Sequence, residues 1–91
     1  IRRVAATRAF LLDALERSGF AIRPSLANFL LVRAGDGAAF RAQLLMRGFV
    51  IRDCASFGLP EWVRVAIPHE RHAERLVHAM VEVRRCLAGE S

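Results

Sequence analysis

Two arginines define the chemistry open to this chain. Arg52 ends the apolar run Phe49-Val50-Ile51, and Arg64 stands between Val63 and Val65, with residues 53–60 forming a Gly/Pro-containing connection between the two segments. An arginine carries a planar, permanently charged fork that suits carboxylate or phosphate. Two forks on neighbouring strand patterns of one compact unit are a way to hold an anionic small molecule. The alternative for each is a surface ion pair, with Asp53 or Glu61 as the nearest partners for Arg52. All fourteen basic residues are arginine, so the chain has no lysine. It can clamp an anion but offers no amine for Schiff-base chemistry. No residue is assigned a catalytic role.

Other reactive side chains carry less. Cys54 follows Arg52-Asp53, a setting that can lower a thiol pKa, but no histidine stands at a pairing position, and an inert loop thiol is the simpler reading. Cys54 and Cys86 lack CxxC spacing and read as reduced thiols. His69 and His72 have i,i+3 spacing that can share a metal ion. No third ligand is indicated, and they read as solvent-exposed helix residues along with His78. Trp62 reads as a packing residue against a neighbouring domain.

The elements that must position the arginines follow from periodicity. Val4, Leu11, Leu12 and Leu15 share one helical face, with Ser18-Gly19 as a left-handed stop. Residues 20–23 form a short extended piece, ended by Pro24-Ser25. Residues 28–33 (Asn-Phe-Leu-Leu-Val-Arg) are the strongest strand pattern. Asp36 is placed to cap a second helix, which should bury Phe40, Leu44 and Leu45 and stop at Gly48. Residues 49–52 and 61–67 read as strands, with 53–60 as a loop. Pro68 should open a last helix whose face is Ala73, Leu76, Val77, Met80 and Leu87.

This order implies an α+β fold, a small, mostly antiparallel sheet with helices packed on one face. Period-2 alternation puts Val63, Val65 and Ile67 toward the helices, and Trp62, Arg64 and Ala66 away from them. Residues 28–33 are apolar on both sides, so something further should cover the Arg64 face. The 91 residues make a single small domain, a leading helix (1–19) and a sheet-and-helix unit (20–91). The chain starts at Ile1-Arg2-Arg3 without a methionine and reads as part of a longer protein.

Composition narrows the function classes. Hydrophobic residues make up 54% and charged residues 25%, too apolar a balance for disorder. No apolar run nears the roughly 20 residues that span a bilayer, and no signal-peptide pattern is present, so the chain reads as soluble and cytoplasmic with no membrane partner. The net charge of +5 raises nucleic acid as a partner. However, the arginines are scattered and no basic run is interleaved with aromatics, so nucleic acid is set aside.

Five segments follow one another in order: Leu15-Glu16-Arg17-Ser18-Gly19-Phe20, which ends an arginine-rich helix, Pro24-Ser25-Leu26-Ala27-Asn28-Phe29, residues 47–53, residues 63–66 and Glu74-Arg75-Leu76. Together they resemble the C-terminal small domain of fold-type I, pyridoxal-phosphate-dependent class I/II aminotransferases, in the histidinol-phosphate aminotransferase and threonine-phosphate decarboxylase group. Residues 24–29 are similar to that group's Pro-Ser-x-Ala-Asn-Phe strand. Arg47-Gly48-Phe49-Val50-Ile51-Arg52-Asp53 resembles its Gly-Ile-x-Val-Arg-Asp strand. Val63-Arg64-Val65-Ala66 resembles its Leu-Arg-Ile-x strand, and Glu74-Arg75-Leu76 the start of its last helix.

The resemblance implies that Arg64 clamps the substrate's carboxylate or phosphate and that Arg52 contacts the phosphate of phosphorylated substrates. It implies pyridoxal 5′-phosphate as cofactor, a large cofactor-binding domain as partner and a homodimeric enzyme. The cofactor lysine, the pyridinium-pairing aspartate and the phosphate-cradling serines would all lie in that large domain, so these 91 residues alone should be inactive. Two alternatives stay open. One is the same domain of a threonine-phosphate decarboxylase of the cobalamin pathway. The other is a free-standing ferredoxin-like module that binds an anionic metabolite.

Overall fold

In the computed structural model, residues 2–24 and 28–89 are described. Residues 25–27, part of the Pro-Ser-x-Ala-Asn-Phe stretch, lie outside the described residues. The chain runs α1 (Arg2–Arg17), β1 (Ile22–Pro24), β2 (Phe29–Arg33), α2 (Gly37–Met46), β3 (Arg52–Cys54), β4 (Leu59–Ala66) and α3 (Glu70–Leu87). A single 3-10 turn, Ala55–Phe57, joins β3 to β4. The four strands form one antiparallel sheet in the order β1-β2-β4-β3. The fold is α+β, as the element order implied.

Local chemistry sets the helix ends. At the end of α1, the Gly19 N–H donates to Glu16 and the Phe20 N–H to Leu15, each at 3.0 Å. Gly19 sits at φ +92°, a left-handed conformation that costs glycine little. Asp36 caps α2 as its residue type predicts, its carboxylate accepting from the Ala39 N–H at 3.1 Å. The cap of α3 is His69, whose Nδ1 accepts from the Arg71 N–H at 3.2 Å. Pro68 therefore stands one residue before the cap and does not open the helix.

The core lies between the helices and one face of the sheet. Leu11 and Leu15 of α1, Phe40 and Leu44 of α2, Leu76, Met80 and Val83 of α3 meet Leu30, Val32, Val63 and Val65 of the sheet. Burying each such side chain stabilises the fold by about 1.5–3 kcal/mol. Gly37 allows α2 to start hard against β4, because a Cβ there would come 2.8 Å from the Trp62 carbonyl oxygen. Arginines staple the helix layer. Arg84 donates to the Ser18 carbonyl and stacks over Phe20 at 4.1 Å, while Arg47 donates to Gln43 and pairs with Glu82 at 3.5 Å.

Several expectations need correction. Strand β3 is Arg52–Cys54, not residues 49–52, and β4 begins earlier, at Leu59. Leu45 is half exposed, because it lies about 100° round the helix from the Phe40/Leu44 stripe. Val4 and Leu87 are exposed on the terminal turns of α1 and α3. Ala79 and Val83 take buried positions on α3 that had been left out of its face.

Candidate functional site

The sheet face turned away from the helices carries the candidate site. Directly opposed residues of an antiparallel pair point to the same side. Arg23 pairs with Leu31, Leu31 with Arg64, and Arg64 with Arg52, so one row across the sheet bears three arginines and a leucine. Trp62 and Phe29 flank this row. The Arg64 guanidinium lies 5.2 Å from the Phe29 ring centroid, and that of Arg23 lies 5.3 Å from Trp62. Such a contact is worth about 0.5–1 kcal/mol at exposed sites.

Arg52 and Arg64 stand face to face on adjacent strands. Like charges directly opposite destabilise a sheet pair, and neither arginine has a carboxylate within ion-pairing distance among the described residues. The acids weighed as partners for Arg52 are engaged elsewhere. Glu61 pairs with Arg33 at 2.6 Å, and Asp53 accepts from the Ala55 N–H at 3.1 Å. Arg52 and Arg64 thus keep no acidic partner among the described residues.

They line one open cavity of about 440 Å³, together with Arg41, Val50, Ile51, Asp53, Cys54, Ser56 and Phe57. A smaller apolar pocket of about 240 Å³, lined by Phe29, Leu31, Cys54, Phe57, Leu59 and Arg64, adjoins it. An anion held by the forks would therefore have an apolar surface beside it. Arg41 was not read from the sequence as a site residue. It looks like an ordinary solvated helix arginine, and only the packing of α2 beside the edge strand β3 brings it to the cavity.

Cys54 is a strand residue, not a loop thiol, and is 3% exposed. Burial pushes its thiol above the ordinary value of 9.0, against a smaller opposing pull from Arg64. It stays protonated at neutral pH and packs beneath the two pockets. His69 is occupied as a helix cap, its ring edge-on to that of His72 at 6.4 Å. No group of three potential metal ligands assembles among the described residues. No helix among them is long and apolar enough to cross a membrane.

The structure is thus a small α+β unit that gathers Arg23, Arg52 and Arg64 on one open sheet face. The chain belongs to the aminotransferase class I and II family, whose pattern matches residues 1–80. It is 44% identical over 75 residues to histidinol-phosphate aminotransferase of Symbiobacterium thermophilum, covering 80% of this chain and 20% of that protein. It is 41% identical over 66 residues to histidinol-phosphate aminotransferase 1 of Dechloromonas aromatica, covering 72% and 18%. The crystal structure of the histidinol-phosphate aminotransferase from Clostridium acetobutylicum superimposes with a TM-score of 0.80 at 29% identity, over 91% of this chain and 27% of that one. The chain spans about a fifth of the length of the curated relatives it matches.

Proposed function

We propose that this chain is the substrate-clamping domain of a pyridoxal-phosphate-dependent aminotransferase of the histidinol-phosphate aminotransferase type. Arg64 holds the carboxylate or phosphate of the amino-acid substrate, and Arg52 contacts phosphate when the substrate carries one. The observation that carries this reading is the Arg52–Arg64 pair, opposed across β3 and β4 with no ion pair to either among the described residues. An arrangement that costs stability in the empty fold is accounted for if an anion neutralises it in use.

The 91 residues do not fit the cofactor as its covalent holder, because they include no lysine. In this proposal a large domain outside them holds pyridoxal 5′-phosphate and covers the Arg64 face. The parent enzyme is a cytoplasmic homodimer, as the resemblance implies. What these residues contribute is binding and orientation. A two-point fork fixes both the position and the rotation of a bound carboxylate or phosphate, and fixed orientation is what brings a distant reacting centre into line.

Steady-state kinetics of the intact enzyme test the assignment. Losing a charge-assisted, bidentate contact costs about 1.5–3 kcal/mol, so Arg64→Ala should lower kcat/KM at least tenfold while cofactor affinity holds. Arg64→Lys keeps the charge without the fork and should not restore activity. Arg52→Ala should hurt phosphorylated substrates more than glutamate. Wild-type efficiency in Arg64→Ala would remove the clamp.

A further inference from the structure

We propose that Arg41 is a third anion contact, and that it makes the site favour a doubly charged phosphate over a singly charged carboxylate. This rests on the clamp reading above and extends it to a residue outside the sheet. Arg41 lines the same 440 Å³ cavity as Arg52 and Arg64. Its place is set by packing. Phe40, the preceding residue, is fully buried and fixes the rotation of α2, and β3 is the edge strand, so the exposed side of α2 borders the outer rim of the sheet.

Among the described residues Arg41 has no ion pair, unlike Arg33 and Arg47. The one acid on the cavity wall, Asp53, has an oxygen committed to the Ala55 N–H. Three guanidinium groups therefore face one carboxylate around the cavity. A bound carboxylate has two oxygens and one charge, which a single fork satisfies. A phosphate monoester presents three terminal oxygens and about −1.5 to −2 charges, more than Arg64 alone can meet. A third fork adds to phosphate binding and little to carboxylate binding. The Ser56 hydroxyl on the same wall is a further donor for the surplus oxygen.

The test is titration of the intact enzyme that contains this chain with inorganic phosphate and, separately, with acetate at fixed ionic strength. NMR shifts of the arginine Nε–Hε groups report binding in wild type and in Arg41→Ala, Arg64→Ala and Arg75→Ala. Arg75 is exposed on α3 outside the cavity lining and controls for the loss of one positive charge. Alanine suits a helix interior, so Arg41→Ala keeps α2. Arg41→Ala should weaken phosphate roughly fivefold, the size of a hydrogen-bond loss at a partly solvated site, and acetate less than twofold. Arg75→Ala should change neither by as much as twofold, and Arg64→Ala should weaken both. A phosphate-to-acetate ratio unchanged in Arg41→Ala, with both anions still weakened by Arg64→Ala, overturns the third contact and leaves the clamp standing. Binding indifferent to Arg64, or absent from wild type, overturns both.

Discussion

On the helix side of the sheet, Leu30, Val32, Val63 and Val65 are fully sealed from solvent. On the other side, the same two strands present Phe29, Leu31, Trp62 and Arg64, all half-buried, with Arg23 and Arg52 completing the row. The first face is built for stability. The second mixes apolar area with three guanidinium groups that have no ion pair among the described residues. It is a poor solvent-facing surface and a poor core, and under the proposed function it meets an anion with an apolar body. Strand alternation lets one peptide serve both ends, because consecutive residues of β4 answer to different demands.

The contrast is sharpest under truncation. Leu30→Ala removes a fully buried side chain and should cost about 2–5 kcal/mol. Leu31→Ala, one residue along on the open face, should cost less than half as much by chemical denaturation. Equal losses would mean that the open face is covered within this chain. Next in size is Gly37→Ala. The added Cβ would stand 2.8 Å from the Trp62 carbonyl oxygen and 2.9 Å from that of Pro60, so α2 or β4 must shift. Forced shifts of packed backbone cost about 1–3 kcal/mol. Because α2 also carries Arg41 to the cavity, this substitution should weaken anion binding together with stability. Unchanged stability would show that the α2–β4 contact has slack.

Much of this comparison was legible in the sequence, for reasons that differ by element. Period-2 alternation in Val63-Arg64-Val65 assigns the two faces from composition alone, and burial follows it. The Asp36 cap and the Ser18-Gly19 stop were readable because local backbone chemistry decides them. The position of β3 was not. Phe49-Val50-Ile51 looks like a strand, yet Val50 is 78% exposed and pairing starts only at Arg52, with a register shift at Asp53/Cys54. A three-residue edge strand takes its register from its partner, and no local pattern encodes that. Arg41 was hidden for a related reason: its convergence with Arg52 and Arg64 depends on how α2 lies beside the sheet edge, a non-local fact.

The smallest expected effect bears most directly on what the open face is for. If Arg52 and Arg64 repel across the β3–β4 pair, Arg52→Thr should stabilise the chain. Threonine suits a strand, and removing one of two like charges at directly opposed positions should gain about 0.2–1 kcal/mol at low ionic strength. The gain should shrink near 0.15 M salt, where charges more than about 8 Å apart are largely screened. Phosphate should then reverse the order. An anion that binds only the folded state raises stability by mass action, so wild type should gain more from millimolar phosphate than Arg52→Thr does. Melting curves of the two proteins, in low salt with and without phosphate, make the comparison directly. A loss of stability in Arg52→Thr before any phosphate is added would mean that Arg52 already has a partner in the fold. The open face would then be a structural surface like the other.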